Sequence, residues 1–156
     1  MSALNNYKVN FYVTDSNNTK FYFSGNNWST TSSPLDFTTQ CKKKKCAFYT
    51  SNGDSILISG SSTNPEISIE KCTVNWSNYF LNSACGMVSQ CYEACWTTTI
   101  DENTYTLSNS INGITYSLCV NTDTGSSTLL QQGESEQGVI CNLQITKIEK
   151  VKIEKK

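Results

Sequence analysis

Apolar and polar residues alternate in short runs along most of this chain. Tyr7, Val9, Phe11 and Val13 fall on one face of a run whose other face carries Lys8, Asn10 and Tyr12. That two-residue period marks a half-buried strand. Asp15-Ser16-Asn17-Asn18 is turn material, and Lys20 to Ser24 forms the return strand of an opening hairpin. A polar loop from Gly25 to Ser33 carries Trp28, and a strand resumes from Leu35 to Gln40 after Pro34. Asn52-Gly53 and Asn112-Gly113 each sit between apolar runs, 47–51 with 54–59 and 104–111 with 114–120. Asn-Gly suits the left-handed positions of a type I′ turn, so two further hairpins are expected. Runs at 66–71, 96–100 and 138–148 read as strands, the last with Val139, Cys141, Leu143 and Ile145 on one face. No long helical period appears, nor any convincing internal repeat. Eight to eleven short strands separated by turn signals predict one all-β domain, an antiparallel β-sandwich spanning 1–156.

One stretch breaks this pattern. Cys72 to Trp96 holds Cys72, Cys85, Cys91 and Cys95 at spacings too tight and irregular for a strand. It reads as a stapled insertion, 77–95, looped out of the β scaffold. With Cys41, Cys46, Cys119 and Cys141 the chain has eight cysteines. An even number in a short chain points to a disulfide framework, whose pairing the sequence leaves open among about 105 combinations. Zinc is the weaker reading, because tight CxxC pairs and histidines are both lacking. Disulfides, and the N-x-S/T patterns at Asn17, Asn27 and Asn75, imply an extracellular, glycosylated protein. The start, MSALNNYKVNF, has no apolar run of a secretory leader. A leader replaced by Met1, or another export route, is therefore expected.

Composition narrows the chemistry. The chain has no His, its positive charges are all Lys, and its net charge is -1. The usual general base and metal ligand are absent, as is the guanidinium fork that reads guanine and clamps phosphate. No nucleic-acid partner, metal or cofactor is expected. A glycosidase-like pair of carboxylates is the remaining catalytic option, with Glu93 as the acid and Asp101 or Glu102 as its partner. It would make the chain a bacteriolytic wall hydrolase, a secondary reading to a non-enzymatic one. Asn121-x-Asp123-x-Gly125 faintly resembles a calcium loop, but lacks carboxylates and reads as an ordinary turn.

The aromatic residues carry more information. Phe11, Phe23, Phe37 and Phe48 lie on strands and read as core. Trp28, Trp76, Tyr79 and Phe80 sit among Asn and Ser in predicted loops, where exposed rings suit stacking on sugars or a place at the headgroup level of a bilayer. The alternative for each ring is to cap one end of the core. Lys42, Lys43, Lys44 and Lys45, between Cys41 and Cys46, form an exposed loop. They read first as a solvated, edge-protecting turn. The functional alternative is contact with an anionic membrane, at about 1 kcal/mol per lysine. Residues 149–156 form a charged tail.

The ordered series Gly25-Asn26-Asn27-Trp28, Pro34, AFYTSNGD at 47–54, EISI at 66–69 and Asn75-Trp76-Ser77-Asn78-Tyr79 resembles the aegerolysin family of small lipid-binding β-sandwiches, over about residues 7–80. The resemblance implies membrane-lipid recognition through Trp28, Trp76 and Tyr79 and, as in some members, recruitment of a second, pore-forming protein. The resulting expectation is a secreted, disulfide-rich binding protein that engages membrane lipid at a cell surface, with a cytolytic or defence role. A lectin-like protein binding a cell-surface glycan through the same rings is the alternative.

Overall fold

The computed structural model describes residues 4–31, 33–71 and 92–151. It is all-β and antiparallel, the class expected from the chain. The strands are β1 (Tyr7–Thr14), β2 (Lys20–Phe23), β3 (Trp28–Ser29), β4 (Phe37–Lys42), β5 (Lys45–Tyr49), β6 (Asp54–Ser61) and β7 (Asn64–Lys71). After a 3-10 turn at Tyr92–Ala94 come β8 (Trp96–Asp101), β9 (Thr104–Ile111), β10 (Ile114–Asn121), β11 (Ser126–Gln131), β12 (Val139–Ile140) and β13 (Gln144–Lys150).

The ladder closes on itself. β1 pairs with β4, β4 with β5, β5 with β8 and β8 with β9. β13 pairs with β1, and the bridge between Tyr105 and Leu143 joins β9 to β13. The two layers of the sandwich are therefore continuous at both edges, forming a six-stranded barrel. The remaining hairpins, β2–β3, β6–β7 and β10–β11, leave the wall after its first, third and fifth strands. This gives three successive units of four strands, the third with the short β12 added, in the connectivity of a β-trefoil. The barrel turns at Lys43-Lys44 and Glu102-Asn103 occupy equivalent places, and both open on a left-handed residue, Lys43 at φ 57° and Glu102 at φ 57°.

The barrel fills with rings. Phe11, Phe23, Phe37 and Phe48 are fully buried, as the alternation predicted. Phe11 stands at their centre, edge-on to Phe48 at 5.1 Å and to Phe23 at 5.8 Å, geometries that aromatic quadrupoles favour. Trp96 is also fully buried and donates its indole N–H to the carbonyl of Ile56 at 2.9 Å.

Several turns differ from expectation for identifiable reasons. Asn112 and Gly113 are both left-handed, at φ 51° and 82°, as a type I′ turn requires. At Asn52-Gly53 only Gly53 is left-handed, at φ 88°, while its N–H bonds to the Thr50 carbonyl and the Thr50 N–H bonds to Asp54. That hairpin takes the longer loop in which a left-handed glycine closes a type I turn. The expected strand 138–148 is split into β12 and β13, and Cys141 lies at the break. The expected loop 25–33 contains β3.

Two disulfides are present among the described residues. Cys41–Cys46 joins directly opposed positions of β4 and β5. Cys119–Cys141 ties β10 to the segment after β12. Cys95 departs from the expected framework: it is a buried, unbridged thiol packed with Ala47, Leu57 and Ala94. The other four described cysteines are already bonded to one another, as Cys41–Cys46 and Cys119–Cys141. Cys72, Cys85 and Cys91 lie outside the described residues, as does most of the expected insertion.

Candidate functional site

Sequence places Ser24-Gly25-Asn26-Asn27 after β2, where small and amide side chains favour a tight reversal. The Ser24 N–H and hydroxyl both donate to the Asn27 carbonyl, at 2.9 and 3.1 Å. Gly25 is left-handed at φ 102°. The reversal is then zipped onto the turn between β10 and β11. Trp28 N–H bonds to the Gly125 carbonyl at 2.6 Å and Ser127 N–H to the Asn26 carbonyl at 2.7 Å. Gly125 is required here: at φ 74°, any Cβ would stand 2.9 Å from the Trp28 carbonyl oxygen.

Side chains lock the same joint. The Trp28 indole N–H donates to the Ser127 hydroxyl at 2.9 Å, and that hydroxyl donates to the Gly25 carbonyl at 2.7 Å. Trp28 is thus a fixed, buried ring, 3% exposed, packed 5.0 Å from Phe23. This corrects its expected role as a protruding loop aromatic. The strand pairing of β3 turns the indole inward, where its N–H finds a partner.

Two clefts flank the joint. One, of about 520 Å³, lies between the β2–β3 hairpin and the β10–β11 turn. Phe21 and Trp28 contribute to its wall, with Ser24, Asn27, Asp123 and Thr124 as polar groups. The other, of about 540 Å³, runs from Asn26 and Asn27 between β7 and β11, with Asn64, Glu66 and Thr128 on its sides. Asn27 lines both, and its residue is exposed. Tyr116, whose phenol O–H donates to the Ser62 carbonyl, ties β10 to the β6–β7 turn behind them.

The other residues singled out from the sequence are dispersed. Lys43, Lys44 and Lys45 are exposed at the β4–β5 hairpin tip, a tight turn closed by Cys41–Cys46 rather than a loop; Lys42 ends β4. Asn17 is exposed in a turn where the Asp15 carboxylate accepts the N–H of Asn17 and of Thr19, both at 2.9 Å. Trp76, Tyr79, Phe80 and the sequon at Asn75 lie outside the described residues. Glu93 is exposed, and its carbonyl accepts a hydrogen bond from Asn109. Asp101 pairs with Thr104 at the other end of β9. Five strand residues separate those levels, about 17 Å at the usual rise, against the roughly 5–10 Å of a working carboxylate pair. The structure does not bring Glu93 together with Asp101 or Glu102. Asn121 caps its own turn, its side-chain oxygen accepting the Asp123 N–H at 2.9 Å. Asp123, Glu66 and Asn64 were not singled out as cleft residues, because the clefts form only where separate hairpins meet.

No family model matches the chain, and none of the curated proteins does. Among solved structures the fold is similar to a salivary protein from Culex quiquefasciatus of the Cysteine and Tryptophan-Rich (CWRC) family. That likeness has a TM-score of 0.62 at 8% identity and covers 95% of this chain and 98% of that chain. At such identity the two share a fold.

Proposed function

We propose that this chain is a secreted binding protein whose cleft beside Trp28 takes a hydroxyl-rich ligand, a cell-surface glycan. The carrying observation is the lining itself: Asn27, Ser24, Thr124 and Asp123 beside the partly exposed Phe21 ring, on a joint fixed by the bond from the buried Trp28 to Ser127. Sugars present hydroxyls that amides, hydroxyls and carboxylates bind directionally, and apolar ring faces that pack on aromatics. Preformed sites of this kind combine an apolar wall with a few placed polar groups. The two disulfides support an oxidising compartment, and the fold likeness to a salivary protein agrees with export. The protein acts by holding its ligand, without turnover.

A glycan array of the full chain, with Asn27 free of glycan because a glycan on that sequon would occupy the cleft, tests this. Binding to a defined set of glycans, weakened at least tenfold by Asn27→Ala, is expected. Absence of binding to every glycan on the array removes the reading.

The exposed Lys43–Lys45 tip favours a second reading, contact with anionic lipid headgroups. In that reading Trp76, Tyr79 and Phe80 supply the inserted rings, the first two being positions that the aegerolysin resemblance implies. Co-sedimentation with phosphatidylserine vesicles that is abolished by replacing the lysines with glutamine would favour it over the glycan.

A further inference from the structure

The two clefts meet at one side chain and carry the same sign of charge. Asn27 lines both. Asp123 stands in the first, on the Trp28 side, and Glu66 in the second, on the β7 side; both residues are exposed. Among the described residues neither lining includes a lysine, although the chain has twelve. Both floors are partly apolar, Phe21 and Trp28 in one, Ile67 and Leu129 in the other.

Resting on the glycan reading, we infer that the joined clefts bind a linear oligomer of amino sugars, with a protonated amine placed near Asp123 and another near Glu66. A carboxylate in each cleft repels uronic, sialic or sulfated units, as it repels phosphate headgroups. It attracts an ammonium group and accepts its hydrogen bonds. A single sugar unit occupies one cleft and meets one carboxylate, whereas an oligomer that passes over Asn27 meets both. Chain length and charge are therefore both read. Exposed carboxylates give modest pairs that salt screens, so each contributes about three- to fivefold in affinity at low ionic strength.

The test is calorimetric titration of the full chain at 20 mM and 300 mM salt with three tetramers: glucosamine, N-acetylglucosamine and a hexuronic acid. Glucosamine monomer and dimer provide the length series. The expected order is glucosamine over N-acetylglucosamine by about tenfold at low salt, narrowing at high salt, with the hexuronate weakest. Affinity for glucosamine rises from dimer to tetramer. Asp123→Asn weakens both lengths about three- to fivefold, whereas Glu66→Gln weakens only the tetramer. Both side chains are exposed, so neither change threatens the fold, and circular dichroism of each variant checks this. Equal or tighter binding of the N-acetylated tetramer, or affinity independent of length, overturns the inference and leaves the glycan reading standing. Binding of none of the three sugars also overturns the inference, and the glycan array then decides the glycan reading by itself.

Discussion

The barrel and its three hairpins solve opposite problems with the same kind of strand. In the wall, β1, β4 and β5 point Phe11, Phe37 and Phe48 inward, and each is fully buried. Where the hairpins meet, the inward positions are shared among short elements that diverge from one another. Closure there depends on a few bonds between hairpins, those around Trp28 and Ser127 and the one from Tyr116 to Ser62. The difference teaches where a ligand would go. A ring of paired strands seals itself, whereas three hairpins of unequal length leave polar gaps at their joints.

This contrast can be broken most severely from the barrel side. Phe11→Ala removes the ring that touches three others, and should cost about 3–5 kcal/mol in denaturant unfolding while leaving ligand affinity of the folded fraction unchanged. A smaller loss, with altered affinity, would mean that barrel and clefts are one unit. Next in size are the disulfides. Cys119–Cys141 spans 22 positions and links a cap hairpin to the barrel, so its removal by paired alanines should cost about 3 kcal/mol. Cys41–Cys46 spans 5 and lies within one barrel hairpin, so its removal should cost about 2 kcal/mol. Thermal unfolding of the two double variants orders them.

Ser127→Ala sharpens the comparison from the other side. It leaves the Trp28 indole N–H and the Gly25 carbonyl without their partner, at about 1–3 kcal/mol in stability, and it loosens the joint beside the cleft. Ligand affinity should fall more than it does for Phe11→Ala. The smallest effect is confined to alkaline solution. Burial pushes the Tyr49 phenol above its ordinary value of 10.0, so the folded chain holds that proton more tightly than the unfolded one. Its contribution is fully present below about pH 10 and declines above it, since the unfolded chain then sheds a proton that the folded chain retains. Tyr49→Phe should flatten the loss of melting temperature with pH on that limb, relative to its own value at neutral pH.

The strands were legible because each is a local statement. Val9, Phe11 and Val13 alternate with polar neighbours, and burial follows the same alternation. Asn112-Gly113 announced its turn through the two residues that need it. The trefoil repeat was not legible, because equivalent positions carry unrelated side chains: Lys43 and Glu102 share a backbone conformation and differ in charge. The cleft was partly legible. Asn27 and Trp28 stood out as an aromatic among amides, yet the direction of the indole depends on Ser127, 99 positions away. Asp123 stood out only in a faint calcium-loop pattern and Glu66 gave no local signal; both are ordinary acids of a turn and a strand until the β10–β11 turn and β7 bring them beside Asn27.

The two described indoles supply the most direct measurement. Trp28 bonds to Ser127 beside the cleft, and Trp96, on the barrel strand β8, bonds to Ile56 on β6. In a two-dimensional NMR titration of the labelled full chain with glucosamine tetramer, the Trp28 indole N–H and the amides of Gly125 to Ser127 should shift saturably. The Trp96 indole and the Lys43–Lys45 tip should stay in place. Shifts confined to the lysine tip, or no shift at Trp28 under saturating sugar, would contradict a ligand site at the joint of the hairpins.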